Sequence, residues 1–307
     1  MDLDRATVGG RWGIRGWCRV PKEEAGDRTA QGHRGPYCIA PMRSVVGGIL
    51  VLVLTACGDG SRDGCRGAAS LSPAITLTIV ALGAGDTVVG RTPWCESDAP
   101  VVGSLLDLDA EALVAANPCV VVVQPPAQGM DGGLTEVAAR IGAQVRAWPL
   151  ATLTDVRTMV AELPAALDPG DQQLAARANE LIAAMDRACA PMAWDPARTV
   201  LMVQAGDGRL AFGPSTYLGE FLAACGVPNA LGNGAWQTLD LEDMVELKPA
   251  IVLTIGTAPS PWTAEVAART GARIVAADDD ALLVPSGTLG PSLERVRAAL
   301  TTGDPAR

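Results

Sequence analysis

Two stretches of this chain repeat one order of polar and apolar positions. The first is Asp109-Ala-Glu111-Ala-Leu113-Val114, followed by Pro118 and a run from Cys119 to Val123. The second is Asp240-Leu-Glu242-Asp-Met244-Val245, followed by Pro249 and a run from Ala250 to Thr254. Matching positions lie 131 residues apart. Each copy predicts a short helix, a proline stop and a strand apolar on both faces, as a parallel strand covered from two sides requires. Helix-proline-strand units resemble one another in any α/β chain, so the repeat gains its meaning from what lies between. There, Leu174, Ala178, Leu181, Ile182, Met185 and Cys189 recur at helical spacing. Gln172, Arg177, Asn179, Glu180 and Asp186 take the opposite face, Asp168 suits the N-cap, and Pro191 ends the helix. The pattern predicts an α/β protein of two similar, Rossmann-like lobes joined by one long connecting α-helix.

In order, the chain predicts a strand over 68–71, a helix from Ser72-Pro73 to Leu82 and a short strand over 87–90. A loop around Trp94 and a short strand over 101–103 precede the first repeat. A polar loop over 124–133, a helix over 134–141, a strand near Val145 and a helix over 154–163 complete the N-terminal lobe, residues 68–166. The connector takes 167–191. The C-terminal lobe, 192–307, reads as a strand over 199–203, a turn at Gly206-Asp207-Gly208, a return strand over 210–212 and a helix over 215–225. After the second repeat come a helix over 263–269, a strand over 273–276 and a helix over 291–300.

The N-terminus reads as an address. Residues 1–41 lack hydrophobic periodicity and read as a non-native or disordered extension, with Met42 as the expected natural start. Met42-Arg43-Ser44, the apolar run 45–54 and Leu54-Thr55-Ala56-Cys57 resemble a bacterial lipoprotein signal, 42–57. That likeness implies a diacylglycerol on Cys57 and an anchored, exported protein. Residues 58–67, rich in Gly, Asp, Ser and Arg, read as a flexible tether.

Charge and composition then exclude several functions. The chain carries a net −10, and the first 41 residues hold seven Lys or Arg against five Asp or Glu. The remainder is therefore strongly acidic, which argues against nucleic acid. From Met42 on there is one lysine, Lys248, and no histidine. That disfavours histidine-based catalysis and a His-ligated zinc. The eight cysteines form no Cys-x-x-Cys pair. Cys119 and Cys225 read as small buried hydrophobes, and any disulfide pairing is left open.

Ligands of open α/β sheets bind beyond the carboxyl ends of strands. That rule selects Ser72, Trp94, Gln124, Gln204, Asp207, Trp236, Thr257 and Ser286. Tryptophan offers a flat apolar face and one N–H donor, which suits a large planar ligand such as a corrinoid ring. Core filling is the competing reading of Trp94. Cys95 reads as a free or disulfide-bonded cysteine before a metal ligand, and Glu96 and Asp98 as a solvated face. Anionic iron chelates favour arginine or tyrosine, and Arg91, Arg209 and Tyr217 are the few at hand. Haem wants a Tyr or His ligand. The ranking is corrinoid, then siderophore, then haem.

The motifs Ser70-Leu-Ser-Pro73, Ala81-Leu-Gly-Ala-Gly85-Asp-Thr-Val-Val-Gly90, both repeat units, and Gly213-Pro-Ser-Thr-Tyr217-Leu-Gly219-Glu-Phe-Leu-Ala-Ala-Cys-Gly226-Val-Pro-Asn229 resemble those of cobalamin- and iron-siderophore-type periplasmic binding proteins. The resemblance covers about Arg66 to Leu300. It implies a non-enzymatic, monomeric, membrane-anchored binding protein with no cofactor of its own. It would hold a cobalamin-like ligand or iron chelate in a ligand cleft between the two lobes and deliver it to an ABC permease and its ATPase, with little hinge opening. It places Trp94 and Trp236 where cleft aromatics stand, and Leu105, Gln124 and Gln204 at other cleft positions. Glu136 and Glu220 are the nearest candidates for permease docking, Glu220 lying a turn beyond the matched Ser215. Enzyme and transporter-independent receptor readings of the same scaffold compete. The first would need convergent metal ligands, the second a missing transporter.

Overall fold

The protein is described from a computed structural model over residues 64–126, 129–130 and 132–302. The expected extension, signal segment and lipidated Cys57 lie outside the described residues. Two sheets share no strand. The first joins β1 (Arg66–Ser70), β2 (Val88–Arg91), β3 (Pro118–Val123) and β4 (Gln144–Ala147) in the order β2-β1-β3-β4, all parallel. The second joins β5 (Val200–Gln204), β6 (Leu210–Phe212), β7 (Trp236–Thr238), β8 (Ile251–Ile255) and β9 (Arg273–Ala277) in the order β7-β6-β5-β8-β9. Here β5, β8 and β9 run parallel, and β6 opposes both neighbours.

The repeat is structural. Asp109 caps α2 (Ala110–Ala116) by accepting from the Ala112 amide, and Asp240 caps α7 (Leu241–Glu246) by accepting from the Asp243 amide. Asn117 and Lys248, also 131 residues apart, both take left-handed backbone with φ 45° just before the proline. Each helix is thereby turned into an inner strand of its sheet, β3 or β8. Residues along these strands alternate strictly between two cores. Val120 and Val122 face one apolar cluster, Val121 and Val123 another. Ile251, Leu253 and Ile255 again face the first cluster, and Val252 a third. This two-sided burial is the reason for the uninterrupted apolar runs.

The shared cluster also takes α1 (Pro73–Ala81), α4 (Leu153–Leu167), α5 (Gln172–Ala188), α6 (Tyr217–Cys225) and α9 (Leu289–Thr301). Helices α2 and α3 (Gly132–Arg140) cover the outer face of the first sheet, and α7 and α8 (Thr263–Thr270) that of the second. The connector α5 buries Leu174, Ala178 and Met185 and leaves its other face to solvent. It is tied at both ends. Arg177 Nη1 donates to the Leu82 carbonyl at the end of α1, at 2.7 Å. Arg297 of α9 donates to the Ala188, Ala190 and Pro191 carbonyls at the end of α5. No helix among the described residues is long and apolar enough to cross a membrane.

Three expectations are corrected here. The connector starts at Gln172 with Asp171 as its N-cap, because Asp168 still closes α4: its amide bonds the Pro164 carbonyl. Arg66 and Gly67, expected in the tether, belong to β1. Cys119 is no mere buried hydrophobe but forms a disulfide with Cys65.

Cys189 and Cys225 are free and buried. Burial, reinforced by the nearby Cys189 thiol, pushes the Cys225 thiol up from 9.0 to about 11. The folded chain therefore keeps a proton in this window that the unfolded chain releases, so stability falls as pH rises from 9.0 towards about 11. Denaturation midpoints measured across that window should fall more steeply than in Cys225→Ala. Equal slopes would show that this thiol does not contribute.

Candidate functional site

The strand ends of the first sheet form one bonded ledge. Ser72 Oγ, past β1, donates to Gln124 Oε1, past β3, at 3.3 Å. Gln124 Nε2 reaches the Pro149 carbonyl, past β4, at 3.5 Å. Ser72 is only 1% exposed, so its hydroxyl serves the ledge. Past β2, the Cys95 thiol lies 3.1 Å from Thr92 Oγ1 and 3.7 Å from the Ser70 carbonyl. It pins the 92–95 turn to the sheet as a free, buried thiol. Arg91 spends its guanidinium on the Ala99 and Thr92 carbonyls. The turn thus held presents Trp94, 51% exposed. Core filling does not describe this indole.

The second sheet ends in a cluster of loops. Gln204 closes β5 against Ile255. The Gly206 amide donates to Ser260 Oγ, and Trp262 Nε1 returns a bond to the Gly206 carbonyl. Asp207 is exposed at the following turn. The Thr257 amide and hydroxyl both bond the Asp280 carboxylate, at 2.9 and 2.7 Å. Trp236, 42% exposed, pairs with Phe212 on the edge strand, two residues from Thr238 opposite Leu210 at the β5–β6 turn. Ser286 is 1% exposed, its hydroxyl 2.8 Å from Thr288 Oγ1. The next amide, Gly287 N, donates to Thr78 Oγ1 of α1, so Ser286 sits at a lobe–lobe seam.

Tyr217 brings the two groups of loops together. Its amide donates to the Ala151 carbonyl just past β4, and its phenol to the Leu282 carbonyl just past β9. Burial pushes the phenol far above its usual pKa, so it stays a donor. Glu220, a turn later, accepts from the Thr154 amide at 3.0 Å and closes the start of α4. Glu136 stands exposed on α3. Position past a strand therefore found Trp94, Asp207 and Thr257 at the surface, but not that Trp236 opens edge strand β7 rather than lying in a loop, nor that Ser72 and Ser286 are spent internally. Sequence reasoning did not identify Asp280 as the partner of Thr257, for which no motif exists. The bridging role of Tyr217 had one signal, its place inside the Gly213–Asn229 motif.

Two surface concavities of about 410 and 360 Å3 lie elsewhere, one beside Pro191 and Arg297, the other beside Pro214 and Asn229. Neither includes a strand-end residue named above. Among the described residues no group of three Cys, His, Asp or Glu side chains could hold a metal ion.

Residues 69–271 match the family model described as periplasmic binding protein. No curated protein matches the chain. Similar solved structures include the periplasmic vitamin B12 binding protein BtuF of Vibrio cholerae, with TM-score 0.61 and 15% identity over 76% of this chain and 96% of that one. The periplasmic haem binding protein HutB of Vibrio cholerae gives 0.59 and 22% over 77% and 99%. An ABC-type Fe3+-hydroxamate transport protein of Saccharomonospora viridis gives 0.53 and 20% over 78% and 95%.

Proposed function

The chain belongs to the periplasmic binding protein family, and from that premise we propose that it captures a bulky planar metal chelate between its lobes and hands it to an ABC permease. The family consists of solute-binding proteins of ABC-type import, not enzymes, and works outside the cytoplasm. The observation that carries the cargo class is the pair of half-exposed indoles, Trp94 and Trp236, one on each sheet's loops or edge, in a chain with only 4% aromatics. Flat faces of this kind stack on flat ligands. The solved relatives are named for vitamin B12, haem and ferric hydroxamate, all metal chelates. A corrinoid leads among them. For haem, Tyr217, the one tyrosine of the described residues, is buried and bonded to Leu282, and no histidine is described.

The disulfide supports an oxidising compartment. A lipid on Cys57 would hold the chain at the outer face of the cytoplasmic membrane, and mass spectrometry of the mature N-terminus tests that. Glu136, exposed on α3, is the stronger docking carboxylate, because Glu220 is already bonded to Thr154.

Titration of tryptophan fluorescence with cyanocobalamin, haemin and a ferric tris-hydroxamate tests the reading. One of them should quench saturably, and Trp236→Ala should weaken its binding about tenfold, the equivalent of about 1.4 kcal/mol. Absence of quenching by all three would overturn the cargo class.

A further inference from the structure

Among the described cysteines, Cys65 and Cys119 are bridged, and a chain that carries such a bridge meets an oxidant as it matures. Cys95 is occupied within its own turn by Thr92 and Ser70. Cys189 and Cys225 are left as free thiols at two helix ends that meet. Cys189 caps the C-terminus of the connector α5, and Cys225 is the last residue of α6. The Cys225 thiol donates to the carbonyl of Ala188, the residue before Cys189, at 3.5 Å. Standard backbone geometry puts the Cys189 Cα about 3 Å from that carbonyl oxygen. The two side chains can close the remaining gap by rotating to an S–S length of about 2 Å. Each thiol also feels the other's surroundings. Burial holds Cys225 protonated and the Cys189 thiol reinforces it, while the Arg297 charge bears on both.

A surface groove of about 410 Å3 opens at this meeting point. Met192 lines it, and the Met192 amide donates to the Cys225 carbonyl at 3.0 Å. Arg297 lines it too, with Nη1 4.0 Å from the Cys225 sulfur. A groove of that size takes a small peptide. Exchange needs a thiolate, and burial keeps both thiols above their usual pKa, which is why the pair can persist reduced beside a finished bridge.

We propose that Cys189 and Cys225 are a second oxidisable site, in which a low-molecular-weight disulfide entering the groove beside Arg297 converts the pair to an intrachain bridge. Cys189, 7% exposed against 0% for Cys225, reacts first. Its thiolate attacks one sulfur of the incoming disulfide, that S–S bond breaks, and the first small thiolate leaves and takes up a proton. The Cys225 thiolate then attacks the Cys189 sulfur and expels the second. The two cysteines lose two electrons and two protons, and the small disulfide gains them as two thiols. The bridge staples the connector to α6, the helix whose Tyr217 and Glu220 reach the first lobe. The inference is independent of the cargo.

The test incubates the native protein with oxidised glutathione and maps its peptides without reduction. Most molecules should carry a Cys189–Cys225 linkage, and the melting temperature should rise by on the order of 5 °C. Cys225→Ser should stop at a glutathione adduct on Cys189, because no second thiol resolves it. Cys189→Ser should leave Cys225 unmodified. Adducts on Cys189 without linkage in the native protein, linkage that forms only in denaturant, or thiols that stay unreacted would each overturn the inference. None of these readouts involves a ligand, so the solute-binding reading stands or falls separately.

Discussion

Removing the Cys65–Cys119 bridge is expected to lower the melting temperature by on the order of 10 °C. The two cysteines are 54 positions apart in sequence, and the bridge joins the residue before β1 to the second residue of β3. The loop it closes contains β1, α1, β2 and α2, and with them two of the first sheet's crossover connections. In the chain-entropy account, closing a loop of that length in the unfolded state stabilises the fold by about 4 kcal/mol. For a body of this size each kcal/mol moves the midpoint by about 2–4 °C. The double replacement Cys65→Ser with Cys119→Ser should still fold. Strands β1 and β3 remain paired from Arg66↔Pro118 to Ser70↔Val122, and the Leu71 amide still bonds the Val122 carbonyl. Thermal unfolding followed by circular dichroism, with and without reductant, checks this. A midpoint insensitive to both treatments would mean that the bridge does not form.

That bridge also marks what sequence could not give. Pairing Cys65 with Cys119 requires knowing that β1 and β3 are neighbours, which is a fact of strand order rather than of spacing. The repeat, by contrast, was fully legible, because its polar caps and prolines act locally. Asp109 and Asp240 cap helices through amides three residues on, whatever surrounds them. The three-residue error at the connector has the same local root. Asp168 bonds the Gly170 amide and Asp171 the Gln173 and Leu174 amides, so both aspartates are competent caps. Only the amide of Asp168, still held by α4, separates them. The site was half legible for a different reason. The rule of strand ends locates a ledge, but burial within the ledge depends on partners from other strands. Ser72 meets Gln124 from 52 residues away, and Glu220 meets Thr154 from 66 away. Trp94 was found because a large indole in a strand-end loop has few places to hide, whereas Trp236, expected in a loop, is exposed because it opens the edge strand β7.

Gly219→Ala should destabilise the protein by about 3 kcal/mol and cost it ligand binding, against the direction that helix propensity gives. Gly219 is inside α6, where alanine alone would stabilise by about 1 kcal/mol. Packing reverses the sign. A Cβ there would sit 2.1 Å from the Gly213 carbonyl oxygen and 2.8 Å from the Pro214 Cα. Both are backbone atoms that no rotamer change can move aside, and overpacking of this kind costs about 1–3 kcal/mol or more. Gly213 has no room to retreat, since its own Cβ position lies 2.5 Å from the Ala235 carbonyl oxygen. The cap tightens the arrangement further: Thr216 Oγ1 donates to the Gly213 carbonyl and accepts from the Gly219 amide. Relief must come from α6 moving outward. That shift would draw Tyr217 from Ala151 and Glu220 from Thr154, the bonds that hold the second lobe against the strand ends of the first. Gly226→Ala supplies the control. Gly226 follows the same helix with φ 76° and nothing within 4 Å of its Cβ position, so it pays only the left-handed penalty of about 1–2 kcal/mol. Chemical denaturation should place Gly219→Ala below Gly226→Ala in stability. Equal costs, or a stabilised Gly219→Ala, would show that α6 can shift without disturbing the cleft it helps to close.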